Sequence, residues 1–352
     1  MTRVQWTPEL TLPRRPRVVA LGAFDGVHLG HARTIRAMRE VARERSAEAA
    51  VLTFDPSPRE FDDGVRRPGR RLTPLDEQMY YLRKLGVDLV VLFEFPGRIQ
   101  RVGPEDFVRR ILVGQLNTVH VTASETHRFG HKGAGDLALL RRLGEELGYG
   151  VQTVSPLLIG GARVSSTRIR DLLAQGKVHE AGALLGRPYA VYAPVVSGRG
   201  LGSRLGYPTA NLNIPPEKIL PRDGVYAGVC GQVHADNYEA LEQPRAAAIN
   251  VGLAPTVRGD QRLVEVHLVG EQCDLLGSSL KVAFLRWLRG EQRFRTTAHL
   301  AAQIGRDAER AAAAADELEA PDLHTFEGFC AHDYVIRRGS LGLTRQSGNV
   351  SG

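Results

Sequence analysis

Two histidines three residues apart, His28 and His31, lie in the run Gly22-Ala23-Phe24-Asp25-Gly26-Val27-His28-Leu29-Gly30-His31. At positions i and i+3 of a first helical turn, two imidazoles project from one face. There they can donate hydrogen bonds to a phosphate in transit. The glycines at 22, 26 and 30 permit tight turning and close backbone approach to a ligand. A strand pattern at 17–21 precedes the segment and a helical pattern follows it, so it reads as a strand-to-helix turn. The unpaired N–H groups and positive dipole end of such a helix start bind phosphate. A lone histidine is more often structural, which is the reading for His120 and His234. The paired arrangement points to nucleotide chemistry, with Gly22, Phe24, Asp25, Gly26 and Gly30 forming the cradle.

A second segment, Arg163-Val164-Ser165-Ser166-Thr167-Arg168-Ile169-Arg170, places strong N-cap residues at the start of a short helix and surrounds them with guanidinium groups. By itself Ser165-Ser166-Thr167 is a helix cap. With Arg163 and Arg168 beside it, the same turn suits the β- and γ-phosphates of a nucleotide, because guanidinium forks match phosphate oxygens. A third segment carries Gly198, Gly200, Gly202 and Gly206, followed by Pro208-Thr209-Ala210-Asn211. Glycines alone make a flexible loop. Further on, Glu265 interrupts an apolar alternating run, where an exposed-face carboxylate is the ordinary reading.

The HxGH pair resembles the nucleotidylyltransferase superfamily, and the chain from Val18 to Ala315 resembles one family, the prokaryotic bifunctional riboflavin kinase/FMN adenylyltransferases or FAD synthetases. The resemblance rests on residues 22–31, on 53–60 (TFDPSPRE), 128–136 (RFGHKGAGD), 163–170 (RVSSTRIR) and 184–189 (LLGRPY), and on the glycine loop with PTAN. It implies two reactions: ATP phosphorylates riboflavin to FMN, then a second ATP adenylylates FMN to FAD and releases pyrophosphate. It also implies Mg²⁺ in both. His28 and His31 become catalytic for adenylyl transfer, and Glu265 and Asn211 for phosphorylation, with Glu265 taking the proton of the ribityl 5′-hydroxyl. Gly198, Gly202 and Gly206 cover nucleotide phosphates, Thr209 and Asn211 stand at the metal, and Phe54, Phe129, Asp136 and Arg289 contact flavin. The chain departs from the family pattern at Ser57, where the family has histidine between two prolines. It departs again at Thr126-His127, where the family has Asp or Asn then Phe, and at Ser203, where it has Arg. A riboflavin kinase with a degenerate adenylyltransferase domain is therefore the alternative, and a flavin-responsive nucleic-acid-binding regulator a third reading.

The elements that must hold these groups follow from periodicity. Strand patterns at 17–21, 50–54, 88–93, 118–123 and 151–156 alternate with helical patterns near 30–45, 74–85, 104–114 and 135–147, and 169–174 is helical. Such alternation predicts parallel βαβ crossovers, a Rossmann-like α/β domain, here residues 1–186. Past Arg187 the chain shows strand patterns at 189–197, 224–232, 246–251, 263–268 and 279–287, then one alanine-rich helix over 297–318. Strands without intervening helices predict a small antiparallel β-barrel domain over 187–318 with a C-terminal helix. Residues 319–352 read as a tail with a disordered Gly/Ser end.

Composition narrows the classes. The chain has 352 residues, 43% hydrophobic and 24% charged, which excludes disordered and fibrous classes. No apolar run reaches the roughly 18 residues of a membrane span, and 1–13 lacks the pattern of a secretory signal, so no membrane partner and a cytoplasmic location are expected. Cys230, Cys273 and Cys330 are too far apart for a zinc cluster and odd in number, and read as buried thiols. The formal charge of +7 sits in the first half, but its arginines are scattered, so small-molecule partners (riboflavin, FMN, ATP) are expected and nucleic acid is not.

Overall fold

The computed structural model describes residues 1–198, 201–233, 238, 242–256, 259–270 and 275–317. The chain divides into two compact units, one of Met1–Ile169 with Pro216–Ile219, the other of Arg170–Pro215 with the described residues from Leu220 onward.

The first unit is built on a six-stranded sheet: β1 (Thr2–Gln5), β2 (Arg17–Leu21), β3 (Glu48–Phe54), β4 (Leu89–Phe93), β5 (Thr118–Ser124) and β6 (Gly150–Val154). The order is β1-β4-β3-β2-β5-β6 and every pairing is parallel. Strands β2 and β4 are buried along their whole length and apolar but for Arg17, which is paired with Glu48 at 2.7 Å, as strands covered on both faces must be. From β2 the chain winds outward through β3 to β4, then returns to β5 on the other side of β2. That reversal leaves a crevice at the carboxyl ends of β2 and β5, where ligands of such sheets bind. Helix α1 (Leu29–Glu44) follows β2 and buries Leu29, Ala32, Ile35, Met38 and Ala42 at helical spacing. Helices α2 (Leu75–Lys84) and α3 (Leu137–Leu147) match the expected positions. The pattern at 104–114 opens as α-helix at Pro104–Asp106 and continues as π-helix over Phe107–Gln115, a winding often found beside functional sites. Helix α4 (Ser166–Ala174) carries the serine turn at its start. His120 lies on β5 with its ring against Gly150, and burial lowers its pKa.

The second unit adds α5 (Val178–Leu185), unanticipated from the sequence, and a closed antiparallel barrel. Its strands are β7 (Tyr189–Val196), β8 (Ala210–Leu212), β9 (Gly224–Gln232), β10 (Glu242–Thr256), β11 (Gly259–Leu268) and β12 (Ser279–Arg289), ordered β7-β8-β11-β10-β9-β12. Closure removes free strand edges. Val191, Ile249, Val251, Val264, Val282 and Phe284 fill the interior. Helix α6 (Thr297–Asp316) lays Ala311 and Ala314 on Val225, Ala227, Ala248 and Leu288, where a methyl-sized side chain lets the helix lie close. Cys230 is buried in β9. His234, Cys273, Cys330 and the tail at 319–352 fall outside the described residues, as do Arg199 and Gly200. Among the described residues no helix is long and apolar enough to cross a membrane.

Candidate active sites

Strand β2 delivers the chain into a strained turn, with Phe24, Gly26 and Val27 at φ of 50°, 88° and 37°. Two of these are not glycine, so the surroundings must hold them. The Asp25 carboxylate accepts from the backbone N–H of Leu72 at 3.0 Å and of Thr73 at 3.1 Å, and Thr73 Oγ1 accepts from Gly26 N at 2.9 Å. The carbonyl of Ala23 accepts from Thr53 Oγ1 at 2.8 Å and from Gln78 Nε2 at 2.9 Å. Buried Arg71 steadies Gln78 at 3.0 Å and is itself paired with Asp55 at 2.7 Å. Thr53 opens the 53–60 motif but was given no role there, and Arg71, Thr73 and Gln78 belong to no motif, so sequence reading missed the part all four play in holding this turn.

His28 is the N-cap of α1, and its Nδ1 accepts from His31 N at 3.2 Å. A neutral His28 therefore carries its proton on Nε2, as a donor. The two rings stack with centroids 3.6 Å apart and planes 14° from parallel. A Cβ on Gly30 would meet His28 Cε1 at 3.1 Å, which accounts for glycine between the histidines. The second motif meets the first here: Ser166 Oγ donates to the Asp25 carbonyl at 2.8 Å. Ser165 caps α4 by accepting from Arg168 N at 3.2 Å. The Arg168 guanidinium ties down the adjoining hairpin through Ile159 O and Ala162 O, and Arg163 donates to Thr126 Oγ1 at 2.9 Å. Thr167 is exposed.

Beside this turn, at the carboxyl ends of β2, β3 and β4, lies a cavity of about 550 Å³. Gly22 lines it, together with Phe54, Phe93, Phe107 and Phe129. Phe54 packs on Phe93 at 5.8 Å and Phe107 on Phe129 at 5.6 Å. Two of the residues expected at flavin, Phe54 and Phe129, share this wall. Asp136 is not among the lining residues. It caps α3 by accepting from Leu139 N at 3.0 Å, a bond that holds its carboxyl below the usual range.

In the barrel, alternation turns Val264 and Val266 inward and Glu265 outward. Glu265 lies in register with Asn211 of β8 on one side and Asn250 of β10 on the other, and Asn250 Nδ2 donates to its carboxylate at 3.4 Å. The glycine loop lies against the same group. A Cβ on Gly198 would fall 1.9 Å from Asn211 Nδ2, and one on Gly202 would fall 3.1 Å from Thr209 Oγ1. Gly206 has φ of 83°, a left-handed position that favours glycine. Arg289 of β12 lies in register with Val225, itself opposite Asn250, and its largely buried guanidinium is bound to Asp307 of α6 at 2.7 Å.

Two family models match this chain, one described as FAD synthetase over residues 12–168 and one described as riboflavin kinase over residues 185–315. A bifunctional riboflavin kinase/FMN adenylyltransferase from Escherichia coli strain K12 is 35% identical over 298 residues, 84% of this chain and 91% of that protein. One from Pseudomonas fluorescens is 35% identical over 325 residues, 92% of this chain and the whole of that protein. The chain belongs to the bifunctional riboflavin kinase/FMN adenylyltransferase family. A solved structure described as a macrolide-efflux protein from Streptococcus pneumoniae has the same fold as this family member, with a TM-score of 0.77 and 25% identity over 88% of this chain and 99% of that one.

Within this chain, folding brings together His28, His31, Gly30, Asp25 and Ser166 around one turn, and Asn211, Glu265, Thr209, Gly198 and Gly202 at one place on the barrel. Asn250, in the family-like run Ile249-Asn250-Val251-Gly252, was given no role from the sequence; its register opposite Glu265, set by the barrel, supplies one.

Proposed function

We propose that this chain makes FAD in two steps: phosphorylation of riboflavin to FMN by ATP, then adenylylation of FMN by a second ATP with release of pyrophosphate. What carries the reading is that both signatures stand in one chain, each folded around its own phosphate-binding turn. The residues before about 187 are assigned the adenylyl transfer and those of the barrel and α6 the phosphorylation.

In adenylyl transfer a phosphate oxygen of FMN attacks the α-phosphorus of ATP and the bond to the β-phosphate bridge breaks. Such chemistry asks the protein for position and charge neutralisation rather than a nucleophile. His28, with its proton on Nε2, and the stacked His31 donate to the phosphate under attack. Ser165, Ser166 and the start of α4 receive the distal phosphates, and Arg163 and Arg168 fix the hairpin that frames them. The flavin ring occupies the aromatic cavity. Neither departure from the family pattern removes the turn: Ser57 N donates to Glu60 at 2.8 Å within a short 3₁₀ turn, and Thr126 accepts from Arg163.

In phosphorylation the ribityl 5′-hydroxyl attacks the γ-phosphorus. Glu265, steadied by Asn250, accepts the hydroxyl proton, and the glycine loop covers the nucleotide. Among the described residues no group of three or more His, Cys, Asp or Glu forms a metal cage. The hard oxygens of Thr209 and Asn211 suit Mg²⁺ shared with nucleotide phosphates, which supplies charge neutralisation when bound.

Small molecules are the proposed partners. The densest arginine stretch is spent on carboxylates, Arg66 on Glu60 at 2.7 Å, Arg71 on Asp55 and Arg70 on Asp62, leaving no basic stripe for nucleic acid there. Supplying FMN and Mg-ATP and following FAD tests the reading. FAD formation is expected, and FMN formation from riboflavin without any FAD would reduce the protein to a kinase.

A further inference from the structure

The wall of the cavity in the first unit is mostly apolar, with Leu21, Leu52, Phe54, Phe93, Phe107 and Phe129 among its lining. Its polar side chains at the rim, Gln100, Arg128, His131 and Lys132, are exposed to solvent. His131 Nδ1 is within 2.6 Å of the Gln100 carbonyl, and Arg128 pairs with Asp136 at 3.3 Å. His127 differs from all of these. Its imidazole is half-buried, lines the cavity, and among the described residues is hydrogen-bonded by no side chain or carbonyl. Among the described residues its ring contact is Phe129, lying 9° from parallel at 6.2 Å.

Its ring nitrogens remain open to solvent, so a ligand that fills the cavity must replace that hydration with a partner of its own or leave the imidazole unpaired. We infer that His127 is a specificity determinant of this cavity, hydrogen-bonding a nitrogen or oxygen at the rim of a planar heteroaromatic ring and so selecting such rings over hydrocarbon ones of equal size. This rests on reading the cavity as the flavin site and names the residue that recognises the flavin's polar edge. Burial holds the imidazole pKa down to about 4, so at neutral pH it offers one donor and one acceptor. A ring nitrogen or a carbonyl oxygen satisfies the donor, and an imide N–H satisfies the acceptor.

The test is His127→Phe in the full chain, which keeps ring shape and stacking but removes the hydrogen bond. FMN and the planar tricycle anthracene-2-sulfonate are titrated by fluorescence against wild type and variant, and FAD formation is measured alongside. Expected are FMN binding weaker by about tenfold, the worth of one neutral hydrogen bond, a matching rise in KM for FMN, and kcat within about twofold. Anthracene-2-sulfonate should bind the variant as well as the wild type or better. His127→Asn, which retains a donor and an acceptor, should recover part of the FMN affinity. Unchanged FMN affinity in the phenylalanine variant overturns the inference, and so does equal loss of both probes, which marks a role in shape alone. A wild type that forms no FAD defeats the functional reading itself, whereas a wild type that forms FAD beside an indifferent variant defeats only the role of His127.

Discussion

Gly198→Ala puts a methyl carbon 1.9 Å from Nδ2 and 2.6 Å from Cγ of Asn211, where carbon and nitrogen in contact need about 3.5 Å. The two must part by roughly 1.5 Å. Gly198 does not occupy the left-handed region, so its backbone accepts alanine and the strain falls on the Asn211 amide or on the loop above it. Either relief moves a group of the proposed kinase site away from its place beside Glu265. Misplacement of about 1 Å costs on the order of 10²-fold in rate when position is the source of catalysis. Because the yielding atoms are the end of one side chain and an exposed loop, global stability should change by less than about 1 kcal/mol. The assay is the initial rate of FMN formation from riboflavin and Mg-ATP, beside FAD formation from supplied FMN and a urea unfolding curve. Expected is a loss of about 10²-fold in the first rate, with the other two unchanged. Wild-type phosphorylation would show that Asn211 does no work from its observed position. Equal loss of both activities would indicate a disturbed fold rather than a displaced amide.

His28→Ala or His31→Ala should lower FAD formation by roughly 10²-fold or more while FMN formation continues, read by separating flavins after incubation with each substrate. Glu265→Gln should lower riboflavin phosphorylation by roughly 10²- to 10⁴-fold and spare adenylylation of FMN, because the amide keeps the shape but accepts no proton. The His127 pKa falls from 6.5 to about 4 on folding, so below pH 6.5 the unfolded chain takes up a proton that the folded chain refuses until about pH 4. Stability therefore drops as pH falls through that window, by about 2 kcal/mol between pH 7 and 5. His127→Phe should remove that increment from urea midpoints at the two pH values, since Arg128, His131 and Lys132 remain in both proteins and cancel.

The sequence made the site legible where the chemistry was local. The turn from β2 into α1 could be read because a continuous apolar strand, three glycines and two histidines follow one another within fifteen residues. Likewise Ser165 could be recognised as a cap from its position before a helical pattern. What the sequence hid depends on contacts between distant segments. Asp25 reads as a ligand residue, yet its carboxylate holds the N–H groups of Leu72 and Thr73, which carry no motif. Strand β1 is four residues of an edge, TRVQ, mostly exposed and without an apolar run. Strand β8 is three residues long and hidden inside a motif that reads as a loop. The strand expected at 246–251 is longer, because the β10–β11 ladder continues unbroken from Ala247↔Leu268 to Thr256↔Gly259. For the three strands cross-strand pairing, absent from local pattern, decided the outcome.

The central claim is that one chain performs both transfers, and labelled ATP tests it most directly. Riboflavin and Mg²⁺ are incubated with ATP labelled either at the γ- or at the α-phosphorus, and the flavins are separated. The account predicts γ-label in FMN and in FAD, and α-label in FAD alone. Label from the γ-position in FMN with no α-label in any flavin would contradict it.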